Sequence, residues 1–199
     1  MLNIICALKH EARPIIAHFR LNHDGSAREF TAYNNEGISI TITGVGKRAA
    51  YEGTRFAANH FGTNAGNLYL NIGIAGHKDL ATGTPVLASR ITDSCSGQVW
   101  QPGMLLPVDL RSLPLVTVEQ PLDEYPADSM VDMEASGFIN SAPLERAQCL
   151  KIISDNALNP AQNINSKKAS ALISANIAVI ESLLSQLRIY SQQATAATS

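Results

Sequence analysis

The sequence contains little cysteine, and no cysteine pattern that would serve a structural role. Its three cysteines, Cys6, Cys95 and Cys149, are scattered over 199 residues. An odd number at wide spacing provides neither a set of zinc ligands nor a disulfide framework. Free thiols of this kind are typical of proteins kept in a reducing compartment, so we expect a cytoplasmic protein. No metal ion and no other cofactor is expected.

Charge is also scarce, and the two signs nearly balance. Charged residues make up 16% of the chain and the formal net charge is −2, so we expect neither a nucleic-acid surface nor a polybasic membrane anchor. No apolar run approaches the length of a membrane span. The first apolar run stops at Leu8 and no positively charged stretch precedes it, which argues against a signal peptide.

The chain does contain enough apolar residues for one substantial core. Hydrophobic residues make up 45% of its 199 residues, a composition and length typical of a single globular domain. We expect that domain to span residues 1–190 and to be followed by a frayed tail over residues 191–199. There is no internal repeat.

Buried strands alternate with helices along the sequence. Continuous apolar runs predict strands over residues 2–8, 67–76, 84–93 and 148–156. Helical patterns predict helices over 10–21, 44–62 and 166–187, the last one continuous and capped by Ser166. A hairpin is expected over 28–43, and residues 94–128, with five of the nine prolines, are expected to be loop around a strand at 113–119. The pattern indicates an α/β fold with a mixed central sheet flanked by helices on both faces.

Residues 129–138, SMVDMEASGF, allow two interpretations. Strict alternation would place Val131 and Met133 on one face and Asp132 and Glu134 on the other, which is typical of a strand with one wet side. The second interpretation starts from the rule that ligands of α/β sheets bind at the carboxyl ends of strands. Glu11 follows the first predicted strand, Glu134 ends the SMVDME stretch and Asp155 lies at the end of the strand over 148–156, so three carboxylates would converge on one cleft.

Five stretches of the chain resemble, in order and spacing, the nucleoside phosphorylase/nucleosidase superfamily, in particular its methylthioadenosine/S-adenosylhomocysteine nucleosidase branch. They are IICALKHEARPI from residue 4, ITGVGKRAA (42–50), LNIGIAGHKDLATGTPVLAS (70–89), VDMEASG (131–137) and IISDNA (152–157). VDMEAS together with GIAG is also similar to the hopanoid-associated phosphorylase-like branch. The resemblance covers residues 1–93 and 129–187.

The resemblance implies a role for each of the three carboxylates. Glu134 would hold the ribose 2′ and 3′ hydroxyls, with Met133 packed on the sugar. Asp155 would protonate the purine at N7, and Glu11 would position or activate the attacking water. Two other interpretations stay open: Glu11 could cap the helix that starts beside it, and Asp155 could be a turn residue.

The resemblance also assigns part of the site to backbone. Gly46 and Gly73, in the GVGK and GIAG stretches, would let the backbone approach the ligand. Ile74 stands where the nucleosidases have a serine, which removes a hydroxyl near the sugar. The segment between Gly83 and Met133 is shorter than in the nucleosidases, and we identify no counterpart in it of the aromatic residue that stacks on the base.

The resemblance implies hydrolysis of the N-ribosidic bond of a purine nucleoside or a 5′-modified derivative. Water is favoured as the nucleophile because phosphate would need dedicated donors, which Ile74 does not supply. The alternatives are a phosphorylase of the hopanoid-associated type and a catalytically silent nucleoside-binding or storage protein. Family members commonly pair so that one subunit closes the other's pocket, so a homo-oligomer, with a dimer favoured, is expected.

Overall fold

The computed structural model describes residues 1–62, 66–103, 109–122 and 124–196, with side chains to residue 189. The strands in these residues are β1 (Leu2–Cys6), β2 (Asn22–His23), β3 (Thr31–Asn34), β4 (Ile38–Ile42), β5 (Leu68–Gly76), β6 (Pro85–Asp93), β7 (Val99–Trp100), β8 (Ser112–Thr117), β9 (Met130–Asp132) and β10 (Ala147–Asp155). The helices are α1 (Lys9–His18), α2 (Lys47–His60), α3 (Ala135–Ser141), α4 (Ser166–Ala175) and α5 (Ile177–Ala196). Two single-turn 3₁₀ helices cover Leu144–Arg146 and Ala161–Asn163.

The strands form one mixed sheet, part of which closes into a ring. From the outer edge the order is β2, β3, β4, β1, β5, with β1 parallel to both β4 and β5. From β5 the sheet continues through β10, β6, β8 and β9 and returns to β5. The closing contact is a single antiparallel residue pair, Gly76 with Val131. β5 therefore lies in both the open and the closed part of the sheet.

Helices cover both faces of the sheet, which confirms the predicted fold class. Successive residues of a strand point to opposite faces, and in the central strands both faces are apolar. Ile4 and Ile152 pack with α1, α4 and α5 on one side. Ile5 and Ile153 pack with α2 and α3 on the other. Strands buried on both faces explain the continuous apolar runs that predicted them.

The C-terminal helical region differs from the continuous helix predicted over 166–187. It is broken at Asn176 into α4 and α5, which meet at a bend of 58°. The buried Asn176 amide donates to the carbonyls of Gly83 and Leu172, at 3.0 Å each, so a side chain bonds to backbone at the break. The predicted cap was also wrong, because Asn165 rather than Ser166 accepts from the N–H of Lys168 at 2.9 Å.

A short strand and the length of the last helix also differ from the predicted elements. The short strand β7 lies within the part of residues 94–128 that is predicted as loop. α5 extends to Ala196, six residues into the segment assigned to a tail, and residues 197–199 lie outside the described part of the chain. In that described part no single helix has the length and apolar character to cross a membrane; only α4 and the first part of α5, taken together across their bend, meet those criteria.

Candidate active site

A cavity of about 220 Å³ opens where strands β1, β5, β9 and β10 end. The structure brings five of the predicted site residues to its lining. They are Glu11, Ile74, Met133, Glu134 and Asp155. The other two, Gly46 and Gly73, lie directly behind the carboxylates of Glu134 and Glu11. The interpretation in which strand ends gather the three acids is the one the structure supports.

Glu11 lies in the first turn of α1, and both of its carboxylate oxygens are engaged. Oε2 accepts from the backbone N–H of Leu8 at 2.9 Å, and Oε1 accepts from that of Ile74 at 3.1 Å. The side chain is buried, and burial raises its pKa above the ordinary value. Glu11 therefore caps its helix and also lies in the cavity wall, so the two interpretations of this residue are not exclusive.

Gly73 and Ile74 are the β5 residues next to Glu11. A Cβ on Gly73 would lie only 3.3 Å from Oε1 of Glu11, so the absence of a side chain lets the carboxylate lie against the strand. The side chain of Ile74 lines the cavity and is partly buried. A branched hydrocarbon thus occupies the wall beside Glu11, as the sequence indicated.

Glu134 is the residue directly before α3, two positions after the end of β9. Its Oε1 accepts from the N–H of Gly46 at 2.9 Å. Gly46 has φ +101°, a conformation that favours glycine. Burial is the main cause that raises the pKa of Glu134, and the nearby negative charge of Asp132 is the second. Together they raise this pKa to about 7, although the positive charge of Lys151 opposes the shift. At neutral pH this carboxyl group is therefore divided between its two protonation states.

Asp132 is buried, so the interpretation of residues 129–138 as a strand with one wet side is wrong. Its carboxylate accepts from the hydroxyl of Thr117 at 2.8 Å and from the N–H of Ala135 at 2.9 Å. It also forms an ion pair with Lys151, with 2.7 Å between Nζ and Oδ2. Three hydrogen bonds account for the burial of the charge.

Lys151 is the buried cation of the site, and sequence reasoning did not single it out. It lies on β10 opposite Gly73, and its side chain is 1% exposed. Burial alone would lower its pKa, but attraction by Asp132 and Glu134 outweighs burial and raises it. Lys151 therefore stays charged and offsets the surrounding carboxylates. The available signal was a lysine inside an otherwise apolar strand, which requires a buried partner.

Asp155 ends β10 and lines the same cavity as Glu134. Its two carboxylate oxygens accept hydrogen bonds from the hydroxyls of Ser154 and Tyr125. The turn that follows is organised by another residue, Asn156, whose side-chain oxygen accepts from the N–H of Leu158 at 3.0 Å. The side chain of Asp155 thus faces the cavity, and the turn interpretation belongs to Asn156.

Tyr125 is the aromatic residue of the site that sequence reasoning missed. Its hydroxyl bonds to Asp155 and its ring lies over Gly76, where an added Cβ would come within 2.3 Å of Cε1. Gly76 is therefore required by close packing. The only sequence signal was a tyrosine between two prolines in the shortened middle segment, and that pattern has no fixed structural meaning.

The raised pKa of Glu134 leads to a testable pH dependence of stability. An unfolded glutamate ionises near pH 4.5, whereas in the folded protein the pKa is about 7. Between these values the folded state binds more protons, so the stabilisation present below pH 4.5 is lost as pH rises through 7. We expect the free energy of unfolding of the wild type to fall over this window relative to a Glu134→Gln variant.

Urea unfolding of both proteins at several pH values between 4 and 8 measures this difference. Glutamine keeps a side-chain oxygen that can accept from the N–H of Gly46. The variant therefore differs from the wild type in that the side chain at position 134 cannot ionise. A Glu36→Gln variant is changed at an exposed site in the β3–β4 turn. Its free energy of unfolding should change with pH in parallel with that of the wild type. Parallel curves for wild type and Glu134→Gln would show that Glu134 has an ordinary pKa.

No protein-family model matches this chain, and no curated protein matches it significantly.

Comparison with solved structures finds clear likeness. The 5′-methylthioadenosine nucleosidase of Arabidopsis thaliana in its apo form superposes with a TM-score of 0.74 at 16% identity, covering 96% of this chain and 95% of that one. The Helicobacter pylori 5′-methylthioadenosine/S-adenosylhomocysteine nucleosidase with butyl-thio-DADMe-immucillin-A gives 0.72 at 16% identity, covering 92% and 97%. The Neisseria meningitidis nucleosidase with methylthio-immucillin-A gives 0.70 at 16%, covering 89% and 96%. The chain therefore has, over nearly its whole length, the fold of the 5′-methylthioadenosine/S-adenosylhomocysteine nucleosidases.

Proposed function

We propose that the protein hydrolyses the N-ribosidic bond of a purine nucleoside or a 5′-modified nucleoside derivative and releases the free base. One observation carries the proposal: Glu11, Glu134 and Asp155 line a single cavity at the strand ends of a nucleosidase fold. Breaking this bond leaves a cationic, oxocarbenium-like sugar and an anionic base. Carboxylates near the sugar stabilise the cation, and an acid at the base neutralises the anion.

Glu134 and Met133 form the sugar end of the proposed site. The ionised carboxylate of Glu134 accepts hydrogen bonds from the 2′ and 3′ hydroxyls of the ribose, while Gly46 holds its Oε1 in place at 2.9 Å. Met133 lines the cavity beside it and packs on the apolar face of the sugar. These contacts fix the ribose so that its anomeric carbon faces Glu11.

Glu11 and Asp155 perform the two proton-linked steps. Glu11 is fixed by two backbone donors, and its carboxyl orients the attacking water and accepts a proton from it. Burial raises the pKa of Glu11, which makes it a stronger base than an ordinary glutamate. Asp155 donates a proton to the base as the bond breaks. Glycosidases use paired carboxyl groups on the same principle.

Water is the proposed nucleophile because the cavity offers phosphate no cationic partner. None of the described residues that line it is lysine, arginine or histidine. Lys47, at the start of α2, is paired with Asp93 at 3.3 Å and Glu119 at 3.2 Å. Lys151 is held by Asp132. A dianion would therefore meet four carboxyl groups, those of Glu11, Asp132, Glu134 and Asp155, together with the side chain of Ile74. Binding it would cost desolvation without compensation.

The test is incubation with a panel of purine nucleosides and 5′-modified derivatives, with and without millimolar phosphate. We expect release of free base, detected by chromatography, at a rate that phosphate does not increase. Glu134→Gln should abolish most of the activity, and Glu36→Gln should retain it. Ribose 1-phosphate, seen by phosphorus NMR, would instead favour the phosphorylase alternative. Binding without release of base would favour a silent nucleoside-binding protein.

The proposal extends to the organisation of the protein. Residues 1–190 would act as one domain in a cytoplasmic homo-oligomer, most simply a dimer. Val45, at the cavity mouth, is 50% exposed, and an apolar side chain in this position suits coverage by a partner subunit. The partner would then close the open side of the site.

A further inference from the structure

The base end of the cavity is already occupied by a side chain of the protein. The phenol of Tyr125 lies over Gly76, and its hydroxyl donates to Oδ2 of Asp155. The second oxygen, Oδ1, accepts from Ser154. Each carboxylate oxygen of Asp155 therefore already accepts a hydrogen bond from a hydroxyl of the protein.

We propose that Tyr125 is a gating residue of the base subsite: in the free protein it takes the place of the base against Asp155 and Gly76, and a bound nucleoside displaces it. The inference rests on the proposed function, which puts the base next to Asp155. The ring and the base would need the same space over Gly76, and the hydroxyl and the base would need the same oxygen of Asp155. The two cannot be present together.

The size of the cavity supports this assignment. Its volume is about 220 Å³, whereas small-molecule sites commonly measure about 300–1,000 Å³. Glu11, Ile74, Met133 and Glu134, where the sugar is proposed to bind, are among the residues that line this space. With Tyr125 in place, we expect the cavity to accommodate the sugar end of a nucleoside but not its base.

Displacement of Tyr125 has a thermodynamic consequence. A ligand that binds only when Tyr125 has moved away has its apparent affinity reduced by the fraction of protein in that state. If Tyr125 occupies the subsite about 90% of the time, base-bearing ligands bind about 10-fold more weakly than they otherwise would. Ribose alone does not reach Asp155 and is not affected. After cleavage, the return of Tyr125 would favour release of the base.

The experiment measures binding of three probes by calorimetry to the wild type, Tyr125→Phe and Tyr125→Ala. The probes are formycin A, an adenosine analogue with a carbon–carbon ribosidic bond that resists hydrolysis, together with adenine and D-ribose. We expect Tyr125→Ala to bind formycin A and adenine at least about 10-fold more tightly than the wild type does. Its affinity for D-ribose should be unchanged. Tyr125→Phe, which keeps the ring but loses the hydroxyl, should lie between. Tyr33→Phe, on β3, serves as the control and should match the wild type.

Each other outcome has a definite meaning, provided that thermal melting shows the variants folded. Equal or weaker binding of formycin A by Tyr125→Ala would overturn the proposal and make Tyr125 a supporting contact of the base. Tighter binding of D-ribose as well would indicate a general loosening of the site and would also overturn it. If formycin A bound to none of the proteins, Tyr125→Ala included, and no nucleoside of the panel released its base, the proposed function itself would fail.

Discussion

Replacement of Asp155 by asparagine is expected to lower turnover by about 10²–10⁴-fold, the range typical for one positioned general acid. The amide has nearly the shape of the carboxyl group; its oxygen can accept from one of the two hydroxyls that contact Asp155, those of Ser154 and Tyr125, and its NH2 group can donate to the other. It cannot donate a proton to the leaving base with the same acidity. The melting temperature should therefore change little while the rate falls.

The dependence on the leaving group separates proton donation from positioning. Nucleosides whose bases are poor leaving groups need the proton most, so their rates should fall most in Asp155→Asn. Asp79→Asn, an exposed substitution shortly after β5, is the matched control and should be fully active. Equal losses for good and poor leaving groups would mean that Asp155 only positions the ligand.

Replacement of Lys151 by methionine is expected to destabilise the protein by about 3–5 kcal/mol, because it leaves a buried carboxylate without its partner. The ammonium group lies 2.7 Å from Asp132, and both side chains are almost completely buried. Methionine fills nearly the same space, so the effect comes from lost charge rather than from a cavity. Urea unfolding at neutral pH measures the change.

A double variant shows where the loss comes from. Lys151→Met combined with Asp132→Asn removes both charges, so it should be less destabilised than the sum of the two single variants. Lys78→Met, at an exposed lysine after β5, should change stability by no more than about 0.5 kcal/mol. A loss of less than about 1 kcal/mol in Lys151→Met would contradict the assignment of a buried ion pair.

Much of the fold was predictable because the pattern that signals it is local. The apolar runs at residues 2–8 and 148–156 belong to strands buried on both faces, and burial on both faces requires such runs. The gathering of Glu11, Glu134 and Asp155 followed from the same topology. Acids at the ends of neighbouring strands meet at one edge, whatever the details of packing.

The features that the sequence did not predict depend on contacts between residues far apart in the chain. The partner of Lys151 is Asp132, on another strand, and no local pattern gives the distance between them. Likewise, Tyr125 reaches Asp155 from the middle segment, where periodicity is weak. The break at Asn176 depends on the carbonyl of Gly83, more than ninety positions earlier. Such contacts form only when the tertiary structure brings distant segments together, so no local sequence pattern predicts them.

The half-ionised state of Glu134 has a consequence for how ligand binding would be observed. Its pKa is about 7, so near pH 7 about half of the molecules have the group protonated. A ribose diol requires the ionised form, and binding would release up to about half a proton per site into the solution. The measured enthalpy of binding would then vary with the ionisation enthalpy of the buffer. The size of that variation would report how many protons are released when the sugar site is filled.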